Sequence, residues 1–214
     1  MQEGQLEQLK NEITQMALIA QAGFFQAWSA FQGVDLKLAK DVIVRDEKLN
    51  VLAEKIFKMS LSLIALQAPV ATDLRTIGSY LKIATDLERI GDHAVKIAKV
   101  VVRLNGKKSS LSPKEIPIMG EKVAEMLEVC VQAIQSGDAR HLRLLDNMDD
   151  GVDEYYKKCF DYIEWSMEKR PDLVKEGVQL IKVIQSLERI GDHATNIGEW
   201  TLYMCTGSIA DLNT

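Results

Sequence analysis

The octapeptide Leu87-Glu-Arg-Ile-Gly-Asp-His-Ala94 occurs a second time, letter for letter, as Leu187 to Ala194. No other feature of the 214-residue chain constrains its fold as strongly. Earlier segments agree at a nearby offset: Ala30-Phe31-Gln32 aligns with Ala133-Ile134-Gln135, and Asp35 with Asp138, each 103 residues apart. A period near 100 is too long for solenoid repeats of about 20 to 50 residues and fits a duplicated three-helix unit. The composition points the same way. With 6% aromatic residues, four prolines and no alternating Val/Thr/Tyr run, an all-β fold is disfavoured.

Punctuation is sparse, so the helices are long. Gly33 followed by Asp35 reads as one helix stopping and the next being capped, and Gly137-Asp138 repeats the signal. Pro69 and Pro171 suit first turns; Asn105-Gly106 and Gly207 suit ends. Ser112-Pro-Lys-Glu115 resembles a capping box. Six helices follow, near 5–32, 35–67, 69–105, 116–136, 138–169 and 171–206. Val100-Val101-Val102 is the one run that would also suit a strand. The expected fold is all-α: two tandem pseudo-symmetric three-helix bundles of antiparallel helices, 1–105 and 113–207, joined by the polar linker 106–112.

A net charge of −5 argues against a nucleic-acid partner. The amino terminus lacks a signal pattern, and the greasiest stretch, Met16 to Trp28, is too short to span a bilayer. Cys130, Cys159 and Cys205 are odd in number and lack CxxC spacing, as expected of reduced, buried thiols in a cytoplasmic protein. There is no nucleophile–base pairing, glycine-rich phosphate loop or His-rich centre, so no enzyme is expected.

Within the third helix Ile83, Leu87, Ile90, Ala94, Ile97 and Val101 are spaced 4, 3, 4, 3, 4, and Leu180 to Ile197 repeat the seam. On the helical wheel Glu88 and Asp92 fall opposite it, one turn apart, as do Glu188 and Asp192. Asp86 and Arg89 read as an ordinary surface pair, His93 and His193 as packing residues, and His141 as a surface residue. Two like charges at i, i+4 and a glycine mid-helix are each unfavourable, yet both choices recur, which marks function or close packing. Asp46 and Asp149 match at offset 103 and lie as far from the preceding turn as the octad acids lie beyond it. Carboxylates converging without an obvious cationic partner favour a hard cation such as Mg, Mn, Ca or ferric iron.

Two Glu-Arg-Ile-Gly-Asp-His-Ala helices in a duplicated chain of this length resemble the PhoU family of bacterial phosphate-uptake regulators. Pro69-Val-Ala-Thr-Asp-Leu-Arg75 and Asn196-Ile197 extend the likeness. The resemblance implies surface sites for iron, zinc, Mg or Mn on an E/D-x-x-x-D motif, here Glu88 with Asp92 and Glu188 with Asp192. It implies negative regulation of the phosphate-starvation response through the phosphate transporter's ATPase subunit and a sensor histidine kinase, and is compatible with a homodimer. Lys96 stands where the second copy has Asn196, so the two sites are expected to be unequal. The competing reading is a helical scaffold that binds partners through charged faces without metal.

Overall fold

In the computed structural model, which describes residues 3–111 and 113–208, the apolar spacing becomes seven α-helices. They are α1 (Glu3–Gly33), α2 (Leu36–Arg45), α3 (Glu47–Gln67), α4 (Ala71–Arg103), α5 (Glu115–Ser136), α6 (Leu144–Lys169) and α7 (Val174–Thr206). The 3-10 turn Pro171–Leu173 leads into α7, and no strand occurs among the described residues. Helices α2 and α3 form one arm interrupted at Asp46, whose backbone stays in the right-handed helical region. Six helical arms therefore stand as two three-helix bundles, α1 with α2–α3 and α4, then α5 with α6 and α7.

Apolar periodicity explains the packing. The seam residues Ile83, Leu87, Ile90, Ala94, Ile97 and Val101 are all buried, as are Leu180, Ile184, Leu187, Ile190, Ala194 and Ile197. Helices α4 and α7 pack on each other at the junction of the bundles, and α1 meets α5 beside them. One apolar cluster runs through both halves. The valine run is helical, with Val100 and Val101 buried on α4, because the surrounding seam outweighs the strand preference of β-branched residues. No described helix is long and apolar enough to cross a membrane.

The ends follow the sequence only in part. Asp35 caps α2 by accepting the Leu38 N–H at 2.9 Å. Its counterpart Asp138 does not open a helix: its carboxylate takes the Arg140 N–H and the forked Arg140 guanidinium, and α6 begins only at Leu144. Gly137 closes α5 at φ 72°, but after Gly33 the left-handed position falls on Val34 at φ 56°. Gly207 closes α7. Pro69 precedes α4 rather than opening it, and Pro171 opens the 3-10 turn. The capping box falls on Ser112, outside the described residues. The segment after α4 is pinned to α7: the Ser110 N–H and the Ser109 hydroxyl both donate to Glu176. Cys130 and Cys159 are buried free thiols, whereas Cys205 is exposed and departs from the expectation.

Candidate functional site

The octads lie on α4 and α7, and each turns its acids away from the seam. Glu88 and Asp92 are half-buried on α4, as are Glu188 and Asp192 on α7. The long arms before them bring Asp46 and Asp149 to the same heights. Each is half-buried against the octad glycine of its bundle. A Cβ built on Gly91 would sit 3.1 Å from Asp46 Oδ1, and one on Gly191 would sit 3.0 Å from Asp149 Oδ1. The absent side chain lets a carboxylate lie over each helix, and at Gly91 it makes room above all for Leu49 Cδ2.

Mutual repulsion marks which carboxylates lie near one another. Burial, then the Asp92 and Glu88 charges, raises the affinity of Asp46 for its proton. Burial and the charges of Asp192 and Asp153 push Asp149 up to about 7, a nearby Thr195 hydroxyl pulling the other way. Asp153 and Glu188 are raised by the same combination of burial and Asp192. Asp149 Oδ1 is buried without a hydrogen-bond partner. Six expected residues thus form two groups, Asp46 with Glu88 and Asp92, and Asp149 with Glu188 and Asp192. Asp153, which the sequence places in the same acid cluster one turn beyond Asp149, joins the second.

The acids are not without cations. Arg89 donates to Asp92 at 3.1 Å, and Arg189 reaches Asp192 at 2.9 Å and Glu188 at 3.4 Å. Arg89 with Asp92 and Arg189 with Asp192 stand at i, i+3, the spacing that makes neighbours on a helix surface. Both pairs are largely exposed to water, so each contributes only a few tenths of a kcal/mol. Among the described residues no three His, Cys, Asp or Glu side chains are drawn into a ready-made ion site.

Asp86 corrects the sequence reading more sharply. It does not pair with Arg89 on the surface; it is buried and crosses the junction between bundles. His193 Nδ1–H donates to its Oδ1 at 2.9 Å, and Asn196 Nδ2 approaches the same oxygen at 3.4 Å. His93 faces His193 with ring centroids 5.9 Å apart. The counterpart of Asp86 is Ser186, whose hydroxyl donates to the Lys182 carbonyl of its own helix. His93 Nδ1 is consequently buried without a partner, while Lys96 Nζ sits 3.4 Å from Nε2. Burial, Lys96 and His193 together push His93 down to about 4. The two histidines are packing residues of the junction, as their position on the wheel indicates, and exposed His141 is a surface residue.

This paired architecture has known relatives. The PhoU domain profile matches twice, at residues 13–101 and 116–201, one match to each octad-bearing half. The chain belongs to the PhoU family. It is 38% identical over 212 residues to the phosphate-specific transport system accessory protein PhoU homolog of Clostridium acetobutylicum, covering 99% of this chain and 97% of that one. The Caulobacter vibrioides homolog is 34% identical over 95% of this chain and 89% of its own length. Among solved structures, PhoU from Pseudomonas aeruginosa superposes with a TM-score of 0.93 at 30% identity, over 97% of this chain and all of that chain. The phosphate transport system regulatory protein PhoU from Streptococcus pneumoniae gives 0.88 at 28% identity, over 96% and 97%.

Proposed function

We propose that this chain is an accessory protein of a phosphate-specific transport system that holds down the phosphate-starvation response. It acts by binding rather than by catalysis, through the transporter's ATPase subunit and a sensor histidine kinase. The observation that carries this reading is the double PhoU match over nearly the whole chain, together with full-length relatives named as phosphate transport accessory proteins. A cytoplasmic location and a homodimer belong to the same reading, as does 106–112 as the joint between two units.

Metal binding is part of the proposal. The donors fit a hard cation: all are carboxylate oxygens, and Asp149 Oδ1 is a buried oxygen that lacks a partner. Glu88, Asp92 and Asp46 would hold one ion, and Glu188, Asp192 and Asp149 another, once Arg89 and Arg189 swing outward. Iron, zinc, Mg and Mn are the candidate ions. A bound cation would offset most of the negative charge of each acid group, and a coordination position left open on it would take an oxygen of an acidic or phosphorylated partner surface.

The test is a pull-down of the ATPase subunit and the sensor kinase by the full chain, with and without EDTA, beside elemental analysis. Capture lost in EDTA, and metal content lost in a variant with Glu88 and Glu188 changed to Gln and Asp92 and Asp192 to Asn, is the expected result. Unchanged metal content in that variant would remove the site. Capture that survives EDTA unchanged would leave the helical scaffold without metal as the mechanism.

A further inference from the structure

The duplication is broken most strongly not at the acids but in a cleft where α4, α6 and α7 meet. Its volume is about 420 Å³, within the range of about 300 to 1,000 Å³ usual for small-molecule sites. Five cations line it, Lys96, Lys99, Arg103, Lys182 and Arg189, against the single carboxylate Glu188. In a chain of net charge −5 this is a reversal of sign.

Two features separate this cleft from an ordinary solvated surface. First, Lys96, Lys99 and Arg103 follow one another at i, i+3 and i+7, one stripe of α4 about 10 Å long. Arg189 is held by Glu188 and Asp192, but among the described residues no carboxylate stands at ion-pair distance from Lys96, Lys99, Arg103 or Lys182. Lys99 also faces the field of Asp46. Second, the other copy of the same surface keeps Lys82 and Arg89 at the positions of Lys182 and Arg189 but has lost the three-cation stripe. At offset 100, Lys96 becomes Asn196, Lys99 becomes Glu199 and Arg103 becomes Tyr203, while Ser186 becomes Asp86. Duplicated helices that share their octads letter for letter have therefore diverged in charge around this one cleft.

We propose that this cleft binds a short chain of linked phosphates. Its cations are spread over about 10 Å, which suits an extended anion better than a single phosphate gripped by two or three donors. Lysines supply point charges along the chain and Arg103 a forked donor, while Gln185 and Ser186 line the wall. Inorganic polyphosphate and a nucleoside triphosphate share that chemistry. The cleft adjoins the proposed metal sites through Glu188, through Arg189 paired with Asp192 and through Lys99 beside Asp46, and it does not depend on the regulatory reading.

Calorimetric titration of the full chain in EDTA with inorganic tripolyphosphate, adenosine triphosphate and orthophosphate tests it. One tripolyphosphate per chain, bound at least about tenfold more tightly than orthophosphate, is the expected result. Lys96→Ala with Lys182→Ala, exposed and half-buried sites outside the core, should weaken binding about tenfold or more, with the melting temperature unchanged. Lys82→Ala, at the position matching Lys182, should leave binding as it was. Tighter binding of adenosine triphosphate than of tripolyphosphate would identify a nucleotide ligand, and equal binding an inorganic chain. Absence of tripolyphosphate binding would overturn the site. Binding indifferent to the Lys96/Lys182 variant, or matched by an acidic peptide of equal charge, would do the same.

Discussion

The two halves carry an identical octad in unequal surroundings. In the first, Asp46 sits where α2 gives way to α3; in the second, Asp149 lies inside the unbroken α6, and its proton affinity is raised further. Asp86 of the first half crosses to His193, whereas Ser186 offers nothing to His93. Val34 takes the left-handed position that Gly137 fills in the second half. The comparison teaches that the seam, the six octad and arm acids and the facing histidines are shared, while Asp86 against Ser186, Asn50 against Asp153 and the turns differ.

The largest effect expected from breaking this asymmetry is at Asp86. Asp86→Ala leaves His193 Nδ1–H and Asn196 buried without their acceptor, at a cost of about 2 kcal/mol. Ser186→Ala removes only a hydroxyl bonded to its own helix and should cost less than about 0.5 kcal/mol. Urea unfolding of the two variants side by side measures the difference; equal losses would show that the cross-junction pair contributes nothing.

A smaller effect is expected at the α1 and α5 ends. A β-branched residue at positive φ is strained, so Val34→Gly should stabilise by about 1 kcal/mol. Gly137→Val should destabilise by a similar amount. Thermal melts with opposite shifts are the expected outcome, and shifts of the same sign would contradict the matching of the two turns.

The smallest effect concerns pH. Folding raises Asp149 from 3.8 to about 7, so the folded chain holds this proton more tightly than the unfolded chain does. Stability from this group is full below the unfolded value and is lost as pH rises through about 7. In EDTA, Asp149→Asn should therefore gain at pH 8 relative to wild type, by about 1 kcal/mol or less because the group is half-exposed to screening water. The equivalent Asp46→Asn should gain less. Denaturation at pH 5 and pH 8 reads both, and a loss for Asp149→Asn at pH 8 would refute the assignment of burial and like charge as the cause.

Much of this was legible in the sequence because it is local. The 4-3-4-3-4 spacing specifies the buried seam, and the offset repeat specifies two bundles. Equal distances from the turn placed Asp46 and Asp149 at the height of the octad acids. What escaped depends on partners that periodicity does not encode. Asp86 meets a histidine 107 residues away on another helix. The pairs of Arg89 with Asp92 and Arg189 with Asp192, by contrast, are local, at i, i+3, and were legible in the octad itself. Asp138 looks like a cap, but its carboxylate is taken by the forked contact from Arg140 two residues later, and α6 starts at Leu144.

The most direct test of the central claim, a regulator that restrains the phosphate-starvation response, is a starvation-promoter reporter in a strain deleted for this chain and grown in high phosphate. The reporter is expected to be switched on in the deletion strain and silenced again by the intact chain supplied in trans. A reporter that stays repressed in high phosphate without the chain would contradict it.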